Sequence, residues 1–168
     1  GVGEGDDAPP MTVPGEGSLL EVGARGGALG GSAYLAAHGG SDGFPDLPAD
    51  PASTVAAIRA VADLDSTRAV HDVSHGGLAV TLAEMVEAAG VSAAVEGTVA
   101  LFDETPGRVV VETTDPTAVY EAVDGVPVRD LGAATADPEL TLSVGDERLV
   151  RDVEAIEDLR DVIGRELE

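Results

Sequence analysis

Apolar positions along this chain fall into short blocks that switch between two spacings. Residues 18–23 (SLLEVG), 68–73 (RAVHDV), 91–96 and 108–114 (RVVVETT) are brief runs rich in Val and Leu, bounded by Gly, Asp or Pro, and they predict β-strands. Residues 126–132, 139–144 (ELTLSV) and 147–150 read as further strands. Between these runs the spacing becomes helical. Over 77–89, Leu78, Leu82, Met85, Val86 and Ala89 recur on one side, Thr81 and Glu84 fall on the other, and Gly90 marks the stop. Asp50-Pro51 and Asp115-Pro116 each set a carboxylate N-cap before a proline at the first helical position. They predict a helix over 51–62, with Val55, Ile58 and Val61 or Ala62 inward, and another from Pro116 to Gly125. A short helix over 32–38 ends at Gly39 and Gly40, and an amphipathic helix over 153–167 carries Ile156, Leu159 or Arg160, Ile163 and Leu167 near one face. Residues 101–108 (LFDETPGR) read as a turn into a strand. Residues 1–17, dense in Gly, Pro and acids, read as a linker or loosely held arm, and 18–168 as one domain. Interleaved strands and helices predict a layered α/β domain, and the consecutive late strands a mixed sheet with flanking helices.

Composition adds the environment. A chain of 168 residues suffices for one domain with a proper core. Aromatics are only 2%, so Ala, Val and Leu must fill that core by close packing. Acidic residues number 32 against 9 basic, a net charge of −23, and every basic residue is Arg. Such a solvated acidic surface points to an extreme halophile, whose concentrated salt screens self-repulsion to a few ångströms. It excludes a nucleic-acid partner, which requires a basic patch. Cysteine is absent, which removes disulfides and thiolate chemistry. The apolar stretches are too short for a membrane span, and a cytoplasmic location is expected.

Two segments carry candidate chemistry. The first, His71 to Leu78 (HDVSHGGL), runs from a strand end through a glycine pair into the best helix. Free N–H groups and the helix dipole favour an anion there, and glycines let a phosphate approach the backbone. The alternative is a tight turn capped by Ser74 or Asp72. A Ser/His/Asp triad fails because His71 and Asp72 point to opposite faces of a strand, and a metal site from His71 and His75 fails because they span a strand and a loop. Each histidine reads as a hydrogen-bonded turn residue, with His75 partly exposed. The second segment, residues 23–32 (GARGGALGGS), matches neither the dinucleotide fingerprint nor a Walker loop, since the chain has no Lys. It is either a phosphate-touching loop helped by Arg25 or a crossing of backbone against backbone. Asp103 and Glu104 could together bind a cation, but in so acidic a chain such pairs arise by composition.

Taken in order, these segments resemble the end of the large, ATP-using subunit of the phosphoribosylformylglycinamidine synthase family. LLEVGARGGALGGSAYL is similar to the family's strand–turn–helix entry to its last domain. HDVSHGGLAVTLAEM resembles its Asp-x-Ser-Asp/Glu-Gly-Gly-Leu-x-x-x-Leu-Ala-Glu-Met signature at Asp72, Ser74, Gly76, Gly77, Leu78, Leu82, Ala83, Glu84 and Met85. LFDETPGRVVVET resembles its Leu-Phe-x-Glu-x-x-x-Arg segment, and VRDLGAAT its Ile-Gly-x-Val strand. The likeness spans nearly everything from Ser18 onward. His75 stands where the family usually has an acid, so no cation or base role is carried onto it; the backbone anion site at Gly76 and Gly77 is unaffected.

The resemblance implies an aminoimidazole ribonucleotide synthase-related C-terminal domain of an enzyme that uses ATP and Mg²⁺ to activate formylglycinamide ribonucleotide. Ammonia comes from a separate glutaminase subunit, and a small subunit often bridges the two. It also implies that the catalytic His, the Mg²⁺ ligands and most ATP contacts sit in upstream ATP-binding domains. This chain then supplies no catalytic or metal residue and is inactive alone. Its candidate phosphate or nucleotide contacts are Asp72, Ser74, His75, Gly76, Gly77, Arg25, Gly26, Gly30 and Gly31. Competing readings are another ATP-using relative (aminoimidazole ribonucleotide synthase, thiamine-monophosphate kinase, selenophosphate synthetase or a hydrogenase-maturation protein) and a non-catalytic assembly module.

Overall fold

The computed structural model describes residues 8–160. Seven strands, β1 (Ser18–Val22), β2 (Thr67–Asp72), β3 (Gly90–Val95), β4 (Val109–Thr113), β5 (Val128–Thr135), β6 (Glu139–Val144) and β7 (Glu147–Asp152), form one sheet in the order β2-β4-β1-β5-β3-β6-β7. β3 and β6 run parallel and every other neighbouring pair antiparallel, so the sheet is mixed, as the pattern predicts. The helices are α1 (Ala33–Ala37), α2 (Pro51–Ala62), α3 (Gly77–Glu84), α4 (Thr98–Phe102), α5 (Pro116–Ala122) and α6 (Val153–Arg160).

Strand alternation gives the sheet two apolar faces. Leu19, Ala69, Val110, Val91 and Leu131 pack with Leu78 and Leu82 of α3, Leu101 of α4 and Ile156 of α6. Leu20, Val22, Val109 and Val111 pack on the other face with Val61 of α2 and Val119 of α5. Both Asp-Pro starts hold: Asp50 accepts from Ser53 N–H, and Asp115 from Thr117 and Ala118 N–H.

Several details differ from the pattern. α2 buries Thr54, Ala57 and Val61, whereas Val55 is 65% exposed. Positions 54, 57, 58 and 61 form an equally good helical stripe, and its small residues let the helix sit close to the sheet. α3 ends at Glu84 rather than at Ala89, because the Met85 carbonyl accepts a hydrogen bond from Val13 N–H (2.9 Å). Met85, Val86 and Ala89 stay buried without helix. Thr81 is buried too, its hydroxyl shared between the Asp72 and Gly77 carbonyls at 3.1 Å each, which removes the cost of burying it. α4 is a short helix that begins before the segment expected as a turn, residues 101–108, and takes in its first two residues, Leu101 and Phe102. α5 stops at Ala122, before Gly125.

Of the segment expected as an arm, residues 8–17 lie against the domain. Pro10 O accepts from Val70 N–H at the β2 edge, Val13 is buried, and Glu112 accepts from Glu16 N–H (2.6 Å) and Gly17 N–H (2.9 Å). Residues 1–7, and the Ile163 and Leu167 positions of the final helix, lie outside the described residues.

Candidate functional site

The topology dictates where the two glycine segments meet. β4 lies between β1 and β2 and runs antiparallel to both, and its first residue, Val109, pairs with Val22 at the end of β1 and with Asp72 at the end of β2. Both strand-to-helix turns therefore emerge at one end of the sheet, and residues 103–108, which lead into β4, pass between them.

In the second turn Gly76 and Gly77 have φ of +86° and +63°. A Cβ on Gly77 would sit 2.8–2.9 Å from the backbone of Leu101, Phe102 and Asp103, so only glycine allows α3 this close to the end of α4. Gly76 N–H donates to Glu104 Oε1 (2.8 Å), and Gly77 N–H to the Ser74 carbonyl (3.0 Å). The N-cap of α3 is Gly76 itself, with no side-chain cap, so neither Ser74 nor Asp72 plays that part. Asp72, Ser74 and His75 form an exposed rim, and His75 Nδ1 stands 3.7 Å from Glu104 Oε2. His71 is a buried strand residue rather than a turn residue; Nδ1 lies 2.8 Å from the Asp72 carbonyl, and Nε2 3.4 Å from Glu84.

In the first turn Gly26 N–H donates to Thr105 Oγ1 (2.9 Å) and Gly27 N–H to Asp103 Oδ2 (3.0 Å). Ser32 caps α1, and the same Glu104 Oε1 that holds Gly76 accepts from Ala33 N–H at 2.7 Å. One carboxylate oxygen thus ties the two turns together. Gly30 lies against the carbonyl of Gly43 and Gly31 against the ring of Phe44. Between this loop and residues 42–49 is a cavity of about 360 Å³, lined by Arg25, Gly26, Gly30, Phe44 and Thr105 among others.

Beneath the turns is a buried ionic base. Arg108 donates through Nε to the Thr105 carbonyl (3.0 Å), through one terminal nitrogen to Glu21 (2.8 Å), and through the other to the Asp103 carbonyl. Glu21 also accepts from Arg25 (2.8 Å), whose guanidinium reaches on to Glu96 (2.5 Å). Burial alone would weaken the Arg25 charge, but hydrogen bonds and attraction from Glu21 and Glu96 hold its pKa above the ordinary value. Glu96 is held below the carboxylate range by its own backbone N–H and then by Arg25. Burial opposes the charge on Asp103, yet hydrogen bonds from Thr105 and from Gly27 N–H, with the attraction of Arg108, keep it below its usual range.

This geometry changes the chemistry the sequence suggests. Arg25 is held between two carboxylates and is not a free cation. The N–H groups of Gly26, Gly27 and Gly76 already have protein acceptors, so the two turns form a rigid, self-satisfied wall rather than two open anion cradles. Asp103 and Glu104 serve as acceptors for that wall. Among the described residues no group of three or more His, Asp or Glu could hold a metal ion, and no helix is long and apolar enough to cross a membrane. Sequence reasoning missed Glu21, Glu104, Thr105 and Arg108 as organisers. The available signal was a carboxylate inside an otherwise apolar strand (SLLEVG) and an Arg opening another, because a charge in a buried strand needs a partner.

Comparison with known proteins follows the same lines. Residues 15–145 match the family described as AIR synthase related protein, C-terminal domain. The chain is 54% identical over 174 residues to the phosphoribosylformylglycinamidine synthase subunit PurL of Natronomonas pharaonis, covering 100% of this chain and 24% of that protein. It is 55% identical over 181 residues to PurL of Haloarcula marismortui, covering 99% and 25%. Both relatives come from halophilic archaea, and the chain spans about a quarter of their length. Among solved structures, Thermotoga maritima PurL complexed with FGAR superposes with a TM-score of 0.65 at 15% identity, covering 89% of this chain and 29% of that one, a likeness of fold. That protein has also been solved with ATP and within PurLQS. The chain belongs to the AIR synthase related protein family, as a member of its C-terminal domain.

Proposed function

We propose that this chain is the C-terminal domain of a phosphoribosylformylglycinamidine synthase, an ATP-dependent ligase of purine biosynthesis working in the cytoplasm of a halophile. The observation that carries this reading is identity above 50% to named PurL subunits across essentially the whole chain, signature turn included. The reaction converts formylglycinamide ribonucleotide to formylglycinamidine ribonucleotide with ammonia from glutamine. The T. maritima PurL complexes with ATP and with FGAR support ATP use and that substrate, and the PurLQS assembly supports work alongside further subunits, which we take to be a glutaminase and a small bridging subunit.

This chain's part in the chemistry is a wall, not an acid or base. ATP, with Mg²⁺ held by other domains, supplies the phosphoryl group that activates the formamide oxygen. The turns at Gly26–Gly31 and Asp72–Gly77 present a stiff backbone surface and a polar rim of Ser74 and His75 against which a phosphate can rest. The reading is tested by assaying amidine formation from ribonucleotide, ATP and ammonia in concentrated KCl. The whole polypeptide should turn over and the 168-residue chain should not. Turnover by the isolated chain would remove the domain reading. Calorimetry of the isolated chain with the ribonucleotide and with ATP tests the phosphate surface; heat from neither confines the chain to assembly.

A further inference from the structure

One exposed apolar surface has no place in the wall just described. Phe44 is 88% exposed and Leu47 74% exposed, in a chain with only two Phe and two Tyr. The other Phe, Phe102, stacks on Tyr34 with ring centroids 4.3 Å apart. Residues 41–50 (SDGFPDLPAD) form no regular element, yet their backbone is constrained. Pro45 and Pro48 fix the backbone after Phe44 and Leu47, and the loop leans on the first glycine turn, with the Phe44 ring on Gly31 and the Gly43 carbonyl on Gly30.

We propose that the Phe44–Leu47 face docks onto the remainder of the longer polypeptide, inserting Phe44 and Leu47 into an apolar hollow with a basic rim. This rests on the reading of the chain as one domain of a PurL-type subunit, about three-quarters of which lies outside it. Three observations select that occupant. The patch is continuous with the first glycine turn, so a partner seated there also closes over the candidate site. Its rim is acidic, with Asp42, Asp46 and Asp50, which calls for basic groups opposite. A second copy meeting the patch about a two-fold axis would set those carboxylates against their own equivalents. In concentrated salt the Debye length shrinks to about 3 Å, so buried apolar side chains rather than long-range charge must supply the hold.

Hydroxyl-radical footprinting of Phe44 and Leu47 tests this, in the 168-residue chain and in the whole polypeptide, both in concentrated KCl. Docking requires oxidation of both residues to be at least about tenfold slower in the whole polypeptide. Phe44→Ser/Leu47→Ser should shift the unfolding midpoint of the 168-residue chain only slightly, since both side chains are mostly exposed, while splitting the unfolding of the whole polypeptide into two transitions. Equal oxidation rates in the two proteins would overturn the proposal. So would protection that grows with the concentration of the 168-residue chain alone, which would make a second copy the occupant. Amidine formation is scored separately. Protection without product sinks only the functional reading, and product without protection sinks only the docking.

Discussion

The two glycine turns share a plan, strand to glycine pair to helix, and one side-chain segment pins both, yet they are built at opposite levels of the domain. The second turn is part of the core: Gly76 and Gly77 are buried, and α3 behind them buries Leu78, Thr81 and Leu82. The first is a surface loop, and α1 behind it buries no residue at all. Burial together with one hydrogen bond to Glu104 holds the second, while hydrogen bonds to Asp103, Thr105 and Glu104 must hold the first without it. A glycine-rich turn is thus not one kind of object; what lies behind it decides whether a glycine there is indispensable or merely convenient.

Arg108→Ala should have the largest effect and spare neither turn. It removes the guanidinium under residues 103–105 and leaves Glu21 buried with one fewer partner, so urea unfolding in concentrated KCl should show a loss of about 3–5 kcal/mol. Arg108→Lys should recover little of it, since one ammonium cannot reach three separated acceptors. A loss under 1 kcal/mol would mean that the ionic base does not support the wall.

The glycines separate the turns directly. Gly77→Ala combines a positive φ with contact against backbone and should cost about 3 kcal/mol. Gly27→Ala has a similar φ, +72°, but open space around its Cβ. It should cost only about 1 kcal/mol. Equal losses would erase the distinction between core turn and surface turn.

Glu104→Ala should cost about 1–3 kcal/mol by orphaning two N–H groups. Its signature is that amide exchange quickens at Ala33 and Gly76 together, 71 and 28 residues away along the chain. Quickening at one alone would deny that the carboxylate couples the turns. The smallest effect concerns acidity. Asp103 has a folded pKa below its ordinary value, so its contribution is fully present above the unfolded carboxylate value and fades as pH falls through the folded one, below about pH 4. Asp103→Asn should flatten that part of the acid limb, and it should loosen Gly27 more than Gly76.

Local pattern determined a good deal of this protein. Runs of Val and Leu placed all seven strands to within a few residues, because strand and helix periods are properties of neighbouring side chains. Asp-Pro pairs placed two helix starts, because capping is satisfied within one turn. The signature around Gly76 and Gly77 also sufficed for the family. Only the tertiary structure decided the rest. Either of two stripes on α2 could have faced the sheet, and packing chose the one with small residues. α3 could have run on to Ala89, but a strand of chain from the N-terminal side took the Met85 carbonyl. Asp103 and Glu104 look like two more acids among 32 until the antiparallel placement of β4 carries them between the turns. Their partners in the two turns lie 28 to 76 residues away, and a periodicity of two or of 3.6 residues holds no information about contacts at that range.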